Sequence, residues 1–215
     1  MSEIFQEFIN SIDANWHRYL NHPWMVAIHD GSLTREQFAF FLVQDMPYQA
    51  DFLKALTLAS TKSDHPDDLL LMREFIKAEA EFEEGLLGDM GVAWTYDRWA
   101  AGPSREAYMN HLVRVAFEEP VSTICAALLP CAAGFTGAMA EPVAKEGLDP
   151  LYVQWLEFYE RSEQREFSEM LVGLFDRGMS IASSGEVIHA RMIFTRSIQH
   201  QIAVLDAAWR TEDLW

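Results

Sequence analysis

The chain has 215 residues, with 16 Lys and Arg against 33 Asp and Glu, a formal net charge of −17, and half of it is apolar. An apolar share that large excludes a disordered acidic tail, and the length suits one domain, residues 1–215, with a sizeable core. The negative surplus, with no basic run to reverse it locally, repels a phosphate backbone and argues against nucleic acid as a partner.

The first helix is predicted over Glu3 to Leu20, where Ile4, Phe5, Phe8, Ile9, Ile12, Trp16, Tyr19 and Leu20 recur at three- and four-residue steps. His22-Pro23 ends it, because a residue before proline is pushed out of the α region. After a turn at Asp30-Gly31-Ser32, Thr34 with Gln37 fits a capping box that opens a long helix through Phe38, Phe41, Asp45 and Phe52. Pro47 predicts a kink in it near Asp45. Asp64-His65-Pro66 opens a helix running to Gly88 or Gly91, and Ser104 caps another that ends near Pro120. A central helix surrounds Cys131, and Asp149-Pro150 starts one reaching about Gly178. Ser183 with Glu186 caps the last, towards Trp209. Nothing alternates like a strand, so the expected fold is a single all-α bundle of about seven helices.

The opening stretch carries acids where a secretory signal needs a basic region, and no window approaches the ~20 uninterrupted apolar residues of a membrane span. Cys125 and Cys131 are too far apart for a CxxC pair. These features predict a cytoplasmic protein with no membrane partner.

Four sets of residues could carry chemistry. Cys131 follows Pro130 in an almost wholly apolar stretch, where the missing amide frees a carbonyl and bends the helix, so the thiol could face an internal pocket. A free cysteine is equally a small buried hydrophobe. Asp45 follows Phe40, Phe41, Leu42 and Val43, and an acid in that setting is paired, functional or turned to solvent. Tyr48, Tyr108 and Tyr159 lie on three different helices and could sandwich a flat heterocycle or simply fill the core. Glu186 and His189 have the spacing of di-iron ligands, with His200 further along the same face, but the pair sits in the opening turn of its helix, and no metal is expected. The acid runs Glu79/Glu81/Glu83/Glu84 and Glu160/Glu163/Glu166 read as solvated faces.

In order along the chain, Asn21-His22-Pro23-Trp24, Asp30 to Leu33, Phe41 to Tyr48 with Asp45, Ala107 to His111 and Leu128-Leu129-Pro130-Cys131 resemble the TenA/thiaminase II family. Trp155 with Tyr159 and Leu205 to Trp209 extend the resemblance over nearly the whole chain. It implies a heme-oxygenase-like bundle that binds no heme and needs no cofactor, assembled as a homotetramer. It implies a small pyrimidine substrate and thiamin salvage: hydrolysis of aminopyrimidine breakdown products to hydroxymethylpyrimidine, and cleavage of thiamin itself. The family cysteine matches Cys131 and attacks the pyrimidine ring, and its aspartate matches Asp45. Tyr48, Tyr108 and Tyr159 fall where aromatic or phenolic groups surround the ring, and Phe135 where a further tyrosine is common.

Two features depart from the family pattern. Gln201 stands where the last helix usually carries a catalytic glutamate, and glutamine can donate a hydrogen bond but cannot act as an acid. The stretch after Tyr159 is longer than usual by about one helical turn. The departure at Gln201 leaves three readings: an aminopyrimidine hydrolase that works without that acid, a TenA-like enzyme with an altered heterocyclic substrate, or a protein that binds a pyrimidine or a partner without turnover.

Overall fold

Prolines and capping side chains set most of the helix starts. In the computed structural model, which describes residues 3–214, every regular element is helical. The elements are α1 (Glu3–Ser11), α2 (Asp13–Leu20), α3 (Pro23–Asp30), α4 (Arg35–Lys62), α5 (Pro66–Met90) and α6 (Pro103–Glu118). They continue with α7 (Val121–Leu129), a π-helical turn (Pro130–Phe135), α8 (Thr136–Met139), α9 (Pro150–Tyr159), α10 (Ser162–Met179) and α11 (Ser184–Arg210), besides a short 3-10 turn at Arg98–Ala100. Met1, Ser2 and Trp215, which the single-domain expectation includes, lie outside the described residues.

Both capping boxes form, Thr34 with Gln37 and Ser183 with Glu186, each stabilising its helix by about 1 kcal/mol. Asp149 accepts from the Leu151 amide just before Pro150, as its sequence predicts. The helical reading is corrected at four places. The first helix is broken at Ile12, whose φ of −129° leaves the α region. Residues 23–30 form α3, because the His22 ring accepts from the Trp24 amide and Pro23 suits the first helical position. The long helix expected from Asp149 is interrupted after Tyr159 by an extended Arg161. Ser104 does not cap α6; Gly102 holds that position, and Ser104 instead binds the Glu212 carboxylate.

The core runs along α4, which packs against α5 and α6, and along α7, which packs against α10 and α11. Residues 121–139, with mean hydropathy 1.6, are long and apolar enough to cross a membrane by length and composition, contrary to the sequence expectation. Ser122, Thr123, Pro130 and Thr136 interrupt the run without charging it. This segment is 67% buried inside the bundle, the pattern of a central core helix. Around it Phe5, Phe8, Phe175 and Phe194 meet edge to face, each burial contributing roughly 1.5–3 kcal/mol.

Candidate active site

Pro130 supplies no amide, and immediately after α7 the ladder widens into the π-helical turn that carries Cys131 and Phe135. Two carbonyls of the widened turn are taken by side chains: the Tyr19 hydroxyl donates to Pro130 O at 3.1 Å, and the Ser168 hydroxyl to Ala132 O. Gly134 lets the rings of Trp16 and Tyr19 close onto this turn, since a Cβ there would lie 2.8 Å from Trp16. The turn is therefore held from outside, and its inner face presents the thiol.

α4 brings Asp45, Tyr48 and Gln49 to the same place, one helical turn apart. α6 brings Arg105 and Tyr108, and its start is fixed by two contacts. The Gly102 amide donates to Gln44 Oε1 at 2.6 Å, and the Ser104 hydroxyl to Glu212 Oε1 at 2.8 Å. Arg105, 3% exposed, donates to Asp45 Oδ1 at 2.9 Å and lies over the rings of Tyr48 (4.7 Å) and Phe41 (5.3 Å). Tyr48 stacks on Tyr108 at 5.3 Å, and Gln201 Nε2 donates to the Tyr108 hydroxyl at 3.4 Å. Phe135 meets Tyr159 edge to face at 5.7 Å. Asp45, Tyr48 and Tyr108 thus lie near the thiol, Gln201 joins them through Tyr108, and Tyr159 packs on Phe135.

Sequence reasoning missed four members of the site: Arg105, Gln49, Glu79 and Glu83. The expectation that the Glu79–Glu84 run is a solvated face is corrected for two of its acids. Glu83 is fully buried and accepts from Gln49 Nε2 at 2.7 Å; the same amide donates to Asp45 Oδ2 at 3.2 Å. Glu79 accepts from the Tyr159 hydroxyl. Glu79 and Glu83 are four residues apart and share a helical face, while Glu81 points to solvent. That spacing, alternating with the apolar Ile76, Ala80 and Leu87, was the available signal.

The electrostatics follow from burial. Desolvation pushes Asp45 up, opposed by Arg105 and the Gln49 hydrogen bond. Glu79 is pushed up to about 7, by burial first and by the Asp45 charge, against its Tyr159 bond. Glu83 rises further, through burial and then the charges of Asp45 and Glu79. The Cys131 thiol is also pushed up, by burial and next by Glu79. Opposing this is the Tyr48 hydroxyl, which faces the sulfur and is placed to donate to a thiolate as it forms. The resting site holds a thiol and a proton-bearing carboxylate cluster, a combination suited to nucleophilic addition with proton transfer.

The trial metal ligands are engaged separately. Glu186 closes its capping box, His189 Nε2 lies 2.9 Å from Glu119 Oε1, and His200 stacks on the outer side of Tyr108 at 5.6 Å. Tyr159 also lines an outer pocket of about 690 Å³, with Ala133, Thr136, Arg165, Ser168 and Val172.

Comparison with known proteins gives a consistent result. The TENA/THI-4/PQQC family model matches residues 9–211. The aminopyrimidine aminohydrolase of Halalkalibacterium halodurans is 25% identical over 210 residues, covering 93% of this chain and 92% of that protein. The Helicobacter pylori protein of the same name is 21% identical, covering 97% and 100%. Among solved structures, a putative TenA-like thiaminase from Sulfolobus solfataricus superposes with a TM-score of 0.85 at 22% identity over the full length of both chains. A Shewanella denitrificans domain described as having a heme-oxygenase-like fold superposes with a TM-score of 0.69 at 15% identity, covering 96% and 92%.

Proposed function

The chain belongs to the TENA/THI-4/PQQC family, and from that premise we propose that it is a thiaminase II-like hydrolase, releasing hydroxymethylpyrimidine from an aminopyrimidine or from thiamin. One observation carries the reading: the thiol of the π-helical turn meets the Tyr48 phenol, stacked aromatic rings and inward carboxyl groups.

An aminopyrimidine ring is flat and weakly basic, so it suits the Tyr48, Tyr108, Phe135 and Tyr159 walls. Cys131 adds through sulfur to the ring and gives up its proton to the carboxylate side of the site, with Asp45 next to it. Negative charge developing on the ring requires a hydrogen bond or proton at a ring nitrogen, and the Gln201 amide is a donor of that kind. The electron pair of the adduct then expels the amine from the methylene carbon, water adds there, and sulfur leaves with its proton restored. Water is consumed and amine released.

The single domain acts without a cofactor, and the family resemblance supports a homotetramer. Both cysteines are free, and a thiol that must stay reduced to attack suits the cytoplasm. The test is to incubate the protein with 4-amino-5-aminomethyl-2-methylpyrimidine and with thiamin, following hydroxymethylpyrimidine by chromatography. Product from wild type and a drop of at least about 10³-fold in Cys131→Ser are expected. No product from either substrate overturns the reading, and equal turnover by the two proteins overturns the nucleophile.

A further inference from the structure

The site contains more acid than its own cation balances. Asp45 has Arg105 at 2.9 Å, but no Lys, Arg or His forms an ion pair with Glu79 or Glu83 among the described residues. Glu79 has only a phenol and Glu83 only an amide. A buried carboxylate left without a cation either keeps a proton or waits for a positive charge from elsewhere.

Other groups at the same place also lack partners. Glu83 Oε1 and Gln49 Oε1 are buried with nothing to bond, as are two nitrogens of Arg105. Buried polar atoms are rarely left unpaired, and four in one cluster are open positions for the hydrogen bonds of a ligand. Among the described residues, no three His, Cys, Asp or Glu side chains are spaced to hold a metal ion. The cluster is spread over Asp45 and Gln49 on α4, Glu83 on α5 and Arg105 on α6, with Glu79 one helical turn before Glu83, so a cationic ligand would enter by displacing the side chains that now close over it.

We propose that Glu79 and Glu83 are specificity residues that bind the substrate as a cation, pairing with the protonated aminomethyl group of the aminopyrimidine, and that the neutral hydroxymethyl product is released because it has no charge to pair. This rests on the hydrolase reading and adds the charge state of its substrate. The reaction itself then switches the affinity: an ammonium enters, an alcohol remains, and the carboxyls take back a proton from solvent.

The pH dependence has a definite sign. The groups facing Glu79 are Asp45 from α4, Glu83 from α5, Cys131 from the π-helical turn and Tyr159 from α9, while the Arg105 charge acts on Glu83 and Asp45. With two uncompensated carboxyls, the free site holds protons near neutrality, and the ammonium displaces one of them. Amine affinity therefore rises by up to about tenfold per pH unit from pH 5 towards 7, then levels.

The experiment is titration calorimetry on Cys131→Ser protein, which lacks the nucleophile, with the aminomethylpyrimidine and separately with hydroxymethylpyrimidine. The amine is expected to bind about tenfold tighter or more, releasing about one proton near pH 6.5, read from the dependence of the heat on buffer ionisation. Glu79→Gln and Glu83→Gln, each added to that protein, should remove the amine preference and leave alcohol affinity within about twofold, which also reports that the variants fold. Equal affinity for amine and alcohol, or equal losses of both in the glutamine variants, overturns the inference. Turnover by the wild type without amine preference sinks this inference alone. A strong amine preference without turnover sinks the hydrolase reading and keeps the counter-ion.

Discussion

The Arg105 guanidinium lies 2.9 Å from Asp45 and 4.7 Å above the centre of the Tyr48 ring, joining the one compensated carboxylate of the site to its aromatic wall. Both partners are buried, and Arg105 is held by the fixed start of α6. Removing one member of such a pair leaves an uncompensated charge, which costs about 3–5 kcal/mol. Arg105→Met should lower the urea midpoint accordingly, more at pH 8 than at pH 5, because at pH 5 Asp45 can keep a proton. The double variant Arg105→Met with Asp45→Asn should recover most of the loss. Additive losses would mean that the pair contributes nothing as a pair.

Cys131 should be a slow thiol in the free protein. Burial and the Glu79 charge both push its ionisation up, so little thiolate exists at neutral pH. Alkylation by iodoacetamide at pH 7, followed by peptide mass mapping, should run at least about tenfold slower than for free cysteine. Glu79→Gln should speed it above pH 7, where the wild-type carboxylate is charged, by roughly 3- to 10-fold. A rate equal to free cysteine would contradict the electrostatic description of the site.

The carboxylate cluster also fixes the direction in which stability changes with pH. Glu79 is raised from an ordinary 4.5 to about 7, so the folded protein keeps a proton that the unfolded chain has released between those values. Stability therefore falls as pH rises through that window, by about 1–3 kcal/mol. The usual salt-bridged carboxylate behaves oppositely. Urea unfolding at pH 5 and pH 8 should show this decline in wild type and a shallower one in Glu79→Gln. A variant as steep as wild type would remove Glu79 as its source.

What the sequence made legible follows from how each residue signals its surroundings. Cys131 was visible because Pro130 sits beside it in an uncharged run, and the structure places a π-helical turn at that point. Asp45 stood out against four preceding apolar residues. Glu79 and Glu83 did not, because Glu81 and Glu84 between and beside them give the same letters as a solvated face, and only tertiary packing separates the two inward acids from the outward one. Arg105 was hidden because its burial depends on Gln44 and Glu212, remote residues that fix the start of α6. The helix class needed only periodicity and caps, whereas the breaks at Ile12 and Arg161 depend on backbone angles that the packing imposes.

Gly134 gives a geometric test of the turn that carries the thiol. Its missing side chain lets Trp16 and Tyr19 within 3.0 Å of where a Cβ would be. Gly134→Ala must displace those rings or the turn, at a cost of about 1–3 kcal/mol. Because Tyr19 also holds the Pro130 carbonyl, the displacement should reach Cys131 and lower kcat more than it raises KM. Differential scanning calorimetry and steady-state kinetics measure the two effects. A variant with both unchanged would show that the turn has slack the geometry does not suggest.

Gln201 decides how the missing acid should be understood. Its amide reaches the Tyr108 hydroxyl at 3.4 Å from a position only 3% exposed, and the family resemblance puts a glutamate there. If that acid were simply lost, Gln201→Glu should restore it and raise turnover. The structure instead supplies two inward acids from α5, so a glutamate at 201 would be a fourth carboxyl against one guanidinium. Burial would hold it protonated or destabilise the fold, by about 1–3 kcal/mol at pH 8. The expected outcome is a kcat within about twofold of wild type or lower, together with a reduced urea midpoint at pH 8 that recovers at pH 5. A gain of tenfold or more would show that Glu79 and Glu83 do not replace the family acid.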